Sequence, residues 1–234
     1  MANILWEADT VTYTGFEKRT DSEFNDKTVL QATYQGKEHL YNYSSPYFSA
    51  NFVPTDDWTL YFCMAPDLPA TGTDYFYMLH IDGSGTKAFQ IRFQNYTASS
   101  TLVYRIRALF NDGTNSNSLW GYPHLAAGAN VSWANGLRSA KQFIAMVFDS
   151  TTDKISFYWN DSSLVYTPAG LTTVTSYTFG NVYSYFGSFN RNSTANMDGR
   201  FAKWNHFKAA HTANQVQRMF DWYKSIYGSV DTTP

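Results

Sequence analysis

The stretch QFIAMVFDSTTDKISFYWND, residues 142–161, reads as two strands joined by a turn. Gln142 to Phe148 is a nearly unbroken apolar run, and Asp149-Ser150-Thr151-Thr152-Asp153 supplies turn chemistry. Lys154 to Trp159 then alternates, with Ile155, Phe157 and Trp159 facing one way and Ser156 and Tyr158 the other. A period of two is the mark of a strand with one face on a core. Asn160 to Ser163 turns the chain again, into Leu164-Val165-Tyr166.

The same pattern extends in both directions. Trp58 to Ala65 is an apolar run suited to a central strand. Asp74 to Ile81 runs into Asp82-Gly83-Ser84-Gly85, a hairpin signal, and Lys87 to Gln94 returns. Thr101 to Phe110 places Leu102, Tyr104, Ile106 and Ala108 on one face and Val103, Arg105 and Arg107 on the other, and stops at Asn111-Asp112-Gly113. Further strands are expected at Asn181 to Gly187 and Gly199 to Lys208. Short strands separated by turns at this spacing indicate a sandwich or barrel rather than βαβ units.

One helix interrupts the pattern. Thr212 is a good N-cap, Gln215 completes a capping box, and Val216, Met219, Phe220, Tyr223 and Ile226 recur at helical spacing. Gly228 suits the C-cap. The expected organisation is one sandwich domain over residues 1–228 with a short polar tail at 229–234. Asn111 to Leu137, rich in Gly, Asn and Ser, and the Thr-rich stretch Thr167 to Thr178 are expected to include surface loops, where binding tends to sit.

Composition agrees with an all-β chain and narrows the partners. Aromatic residues make up 18% of the 234 positions and charged residues 15%, with a net charge of −2. The charged share is low for a globular domain, and Tyr and Phe favour pleated surfaces. No basic run appears, so nucleic acid is not an expected partner. The lone cysteine, Cys63, lies in an apolar run and reads as a buried thiol. Residues 1–6 have neither a basic nor an apolar leader segment, and no apolar stretch has the length of a membrane span. The expectation is synthesis in a cytoplasm without a signal peptide.

Three parts of the chain resemble the laminin-G-like and concanavalin A-like lectin-glucanase superfamily. The closing segment runs from Gly187-Ser188-Phe189 through Asp198-Gly199-Arg200-Phe201 to Phe207, then Thr212 to Val216 and Trp222-Tyr223. The hairpin of residues 142–161 and the strand Trp58-Thr59-Leu60-Tyr61-Phe62 are the others. The resemblance implies an antiparallel jelly-roll β-sandwich with one short C-terminal α-helix. Composition and the absent leader also resemble bacteriophage virion proteins of this fold. Capsid decoration or tail attachment, with homo-oligomers or other virion proteins as partners, is the function that likeness implies.

The superfamily's hydrolases use paired carboxylates on a strand. Here Glu7, Glu17, Glu23 and Glu38 are the only glutamates, and none lies in an expected strand. Its lyases use a Tyr/His pair with Gln and Arg. His80, Gln90 and Arg92 are the corresponding candidates, since Gln90 and Arg92 share a strand face, although a polar outer sheet face explains the same residues. A calcium ion held by an Asp and loop carbonyls would fall to Asp112 or Asp198, each of which precedes a glycine and also reads as a turn. For surface glycans, Trp120 and Tyr122 beside Asn115 and Asn117, with Trp133 as a second ring, carry stacking and hydrogen-bonding chemistry. The same rings could instead cover the core or an oligomer seam. Trp58, Trp159, Trp204 and Trp222 are expected in the core. The function expected is binding rather than catalysis, either as a virion surface protein or as a free-standing carbohydrate-binding module, with a polysaccharide lyase as the enzymatic alternative.

Overall fold

A computed structural model describes residues 12–14, 16–32, 39–43, 53–69, 74–82, 87–98, 101–175, 183–186 and 198–234. Within them, two antiparallel sheets of seven strands pack face to face as a jelly-roll β-sandwich. The first sheet runs in the order β1 (Thr12–Thr14), β4 (His39–Tyr43), β13 (Tyr183–Phe186), β6 (Asp74–Asp82), β7 (Lys87–Ala98), β8 (Thr101–Asp112) and β9 (Ser116–Gly121). The second runs β12 (Asp161–Tyr166), β11 (Lys154–Trp159), β10 (Gln142–Asp149), β5 (Trp58–Pro66), β14 (Gly199–Phe207), β3 (Lys27–Ala32) and β2 (Phe16–Asp21). The turn Gly83 to Gly85 expected between β6 and β7 lies outside the described residues, as do Glu7 and Glu38.

The pairing explains the apolar runs. β5 lies between β10 and β14, and all nine of its residues are buried. Leu60, Phe62 and Met64 point into the space between the sheets, where they join Ile144, Met146, Phe157, Trp159, Phe93 and Ile106. Tyr61, Cys63 and Ala65 point the other way, into a second cluster with Phe143, Ala145 and Tyr158. A strand buried on both faces has no polar side to show, so its sequence does not alternate.

The second cluster is closed by a helix. Thr212 and Gln215 form the capping box, and Val216, Phe220, Tyr223 and Tyr227 of α3 (Ala213–Tyr227) are buried on the outer side of the second sheet. Two shorter helices precede it, α1 (Pro123–Ala126) and α2 (Val131–Gly136). The Tyr223 hydroxyl donates to Asn205 Oδ1 at 2.9 Å. Lys141 Nζ donates to the Tyr227 carbonyl at 2.7 Å, placing a cation at the helix C-terminus where the peptide dipoles favour it. Trp222, expected in the core, is 42% exposed, with its ring 5.4 Å from that of buried Tyr223.

The segment Asn111 to Leu137, expected to include surface loops, has turns at 113–115 and 127–130 and is otherwise regular. It is built from the end of β8, β9, α1 and α2. Pro123 sits in the first turn of α1, where its missing amide hydrogen is no loss. The Asn130 side chain accepts from Trp133 N at 2.9 Å and caps α2. Both helices are too short for apolar periodicity to register. Gly121, at the end of β9, lies so close to the second sheet that an added Cβ would sit 2.5 Å from Phe157 Cγ.

Candidate functional site

Among the described residues, the facing sides of the two sheets form the core, and α3 covers the central part of the outer face of the second. The outer face of the first sheet carries the alternate residues of β6 to β9, set in rows by the strand register. Tyr77 lies opposite Arg92, Arg92 opposite Arg107, and Arg107 opposite Trp120. The next row is Tyr75, Gln94 and Arg105, followed by Tyr96 opposite Val103. On the other side lie His80, Gln90, Leu109 and Ser118.

Three guanidinium groups are thus set close together, and rings and amides hold them. Arg105 Cζ is 3.5 Å from the Tyr96 ring centroid and 3.6 Å from that of Trp120, so the guanidinium lies between the two rings. Arg92 lies over Tyr75 at 4.7 Å, and both Arg92 and Arg107 are 5.4 Å from the Trp120 centroid. Gln94 Oε1 accepts from Arg92 Nη2 at 3.1 Å and from Arg105 Nη2 at 3.0 Å. Arg107 donates to Ser118 Oγ from Nη2 at 2.7 Å and from Nε at 3.0 Å.

No carboxylate neutralises this group among the described residues, where the ion pairs join Arg19 and Arg200 to Asp21 and Glu23. Burial, with the charges of Arg92 and Arg105, lowers the Arg107 pKa to about 10. The side chain remains cationic at neutral pH. Cation–π contacts and amide oxygens stabilise a guanidinium without cancelling its charge.

The residues expected from the sequence fall in several places. Trp120 is on strand β9 rather than in a loop, and one of its faces is covered by Arg105. Tyr122 follows that strand, with its ring 6.4 Å from Tyr96 and 5.6 Å from Tyr166. Trp133 lies apart from them, 8% exposed in α2 and packed into the inter-sheet core. Asn117 clamps the following strap: its Oδ1 accepts from the amides of Thr173 at 2.9 Å and Val174 at 2.8 Å. Asn115 closes the turn before β9, donating its amide to Asp112 Oδ1 at 2.7 Å.

That turn also engages Asp112, whose Oδ1 accepts from Thr114 N at 2.8 Å. Asp198 precedes Gly199, whose φ of +113° and close approach to the Ala65 carbonyl leave no room for a side chain. Among the described residues, no three or more His, Cys, Asp or Glu side chains come together as a metal-ligand group. Of the lyase candidates, Gln90 and Arg92 share the outer face and the His80 backbone pairs with Gln90. The His80 side chain lies outside the described residues. The sequence reading missed Tyr75, Gln94, Tyr96, Arg105 and Arg107 as a site. The alternation of Arg105 and Arg107 was visible, but their meeting with Arg92 depends on the β7–β8 register.

No family model matches the sequence. No curated protein matches it either. Solved structures do resemble its fold. One is a structure of botulinum neurotoxin type C, which interacts with two ganglioside molecules, at TM-score 0.60 and 10% identity over 91% of this chain and 46% of that one. Another is the binding domain of Paraclostridial Mosquitocidal Protein 1, at TM-score 0.57 and 13% identity over 94% of this chain and 50% of that one. A third is the NanB sialidase of Streptococcus pneumoniae, at TM-score 0.51 and 11% identity over 76% and 26%. The chain therefore spans about half the length, or less, of these structures. The likeness supports the β-sandwich and, at these identities, carries no residue across.

The arrangement offers donors and ring edges on a regular sheet.

Proposed function

We propose that this chain is a non-catalytic binding module that recognises a saccharide on the outer face of the first sheet. The observation that carries the reading is the fixing of Arg105 between Tyr96 and Trp120, beside Gln94, Arg92 and Arg107. Donors held rigidly by packing lose little freedom when a ligand's hydroxyls arrive. The ganglioside-interacting toxin and the mosquitocidal binding domain among the similar structures lend the reading support.

The test is a saccharide array probed with the wild-type chain and with Trp120→Ala. Retention by the wild type and loss in the variant supports the reading, and an array with no retained saccharide ends it. The virion setting is supported by the Tyr- and Asn-rich composition alone. Its test is sizing of the purified chain with and without a candidate particle, where a chain that is always a free monomer rejects it.

A further inference from the structure

We infer that the saccharide bound by this face is acidic, bearing carboxylate or sulfate groups that Arg92 and Arg107 engage directly. This inference rests on the saccharide reading above and names its ligand class.

Arg92 and Arg107 occupy one register position on adjacent strands. Like charges placed opposite each other across strands repel. Proteins ordinarily relieve such a pair with an interposed acid. Among the described residues none is present; the rows contain Tyr, Gln, Ser, Val, Leu and Trp instead. Arg92 keeps its Nη2 on Gln94, while its buried Nε has no hydrogen-bond partner. The pair therefore stays uncompensated by any acid among the described residues.

The rings define the rest. Arg105 already covers one face of Trp120 at 3.6 Å, so that face is closed to a sugar ring. Trp120 instead acts as a pedestal that fixes Arg105 and faces the other two guanidiniums. The group therefore presents charge more than open aromatic surface. A forked guanidinium matches a carboxylate or sulfate with two parallel hydrogen bonds, which hydroxyls of a neutral sugar do not match. The net charge of −2 gives the chain no broad basic field to attract anions.

The experiment pairs each acidic saccharide with its neutral partner: a uronic-acid oligomer against its carboxyl-reduced form, and a sulfated oligosaccharide against its desulfated form. Polyvinyl sulfate and a single-stranded oligonucleotide serve as anions that are not saccharides of this class. The expected result is retention of acidic members only, weakened about tenfold between about 0.05 and about 0.5 M salt. Arg107→Gln should weaken binding by about tenfold or more, while Lys154→Gln, on the second sheet, leaves it unchanged. Circular dichroism confirms that Arg107→Gln is folded, and Arg92→Gln gives a second reading of the same pair.

Equal retention of acidic and neutral partners overturns the charge inference and leaves the saccharide reading standing. No saccharide retained by the wild type removes both. Retention of polyvinyl sulfate or the oligonucleotide as strong as that of the sulfated oligosaccharide also overturns the inference, since the face would then be a general anion sink.

Discussion

Arg92 on β7 and Arg107 on β8 stand directly opposite each other, and what surrounds them is Tyr75, Gln94, Ser118 and Trp120. Two cations at one register position work against the sheet that carries them. Replacing Arg107 by Leu removes the repulsion while keeping bulk over the strand. The expected outcome is a gain of about 0.2–1 kcal/mol, or a rise in Tm of about 1–4 °C. Added salt should raise the wild-type Tm more than the variant's, because only the wild type has repulsion to screen. Thermal unfolding at two salt concentrations checks both.

Asn117 should matter for stability. Its Oδ1 accepts from the backbone of Thr172, Thr173 and Val174 and from the Thr173 hydroxyl, and its Nδ2 donates to Thr172 Oγ1 at 3.0 Å. Asn117→Ala strips these donors of their acceptor and should cost about 1–3 kcal/mol in chemical denaturation. Asn117→Asp retains the acceptor and should cost less. Limited proteolysis should cut the alanine variant first near residues 172–174.

Gly121 allows β9 to approach β11. Because a Cβ there would fall 2.5 Å from Phe157 Cγ, Gly121→Ala should destabilise the fold by about 1–3 kcal/mol. Combining it with Phe157→Leu should recover part of the loss, giving a coupling that a double-mutant cycle measures. Simple addition of the two losses would show that the contact is not the cause.

Acid should act in two separate windows. Burial, with a smaller contribution from Lys208, lowers the His206 pKa to about 4 from its ordinary 6.5. The unfolded chain therefore takes up a proton below about pH 6.5 that the fold refuses until about pH 4. Roughly 3 kcal/mol should be lost across that window, and His206→Gln should flatten it. Burial alone would raise the Asp21 pKa, but hydrogen bonds from Arg200 and Glu23 N, with the charges of Arg200 and Arg19, outweigh it and bring it below 3.8. That contribution is present above the ordinary carboxylate range and disappears as the pH falls through the depressed value. Asp21→Asn should lower Tm at neutral pH and flatten this lower limb, leaving the His206 window in place.

The strands were legible where side chains alternate. Ile155, Phe157 and Trp159 lie in the inter-sheet core, as their spacing indicates, and the Thr212 to Gly228 helix is capped at both ends as its residues imply. Buried β5 and β10 carry no alternation, and they were legible as continuous apolar runs bounded by turns. The two short helices were not legible, since four and six residues are too few to show a period. Tyr122-Pro123 and Asn130 were the signals present.

The site was legible only in pieces. Trp120 and Arg92 are each visible as residues of interest, but they stand 28 positions apart and meet because β8 lies between their strands with a fixed register. Composition concealed the charge as well, for the arginines are spread along the sequence and form a cluster only across strands. Trp133 shows the reverse. It was a sound choice by residue type, and packing turned it inward.

With α3 seated on the second sheet and the arginine rows on the first, the molecule has a back and a front. A fluorophore or surface linker attached at Ser225, which is exposed on α3, would sit behind two sheets and leave the front unobstructed. Immobilised in that orientation, every copy would present the same side to solution. A reagent that masks the back without loss of capture would then locate the contact surface before any complex is seen.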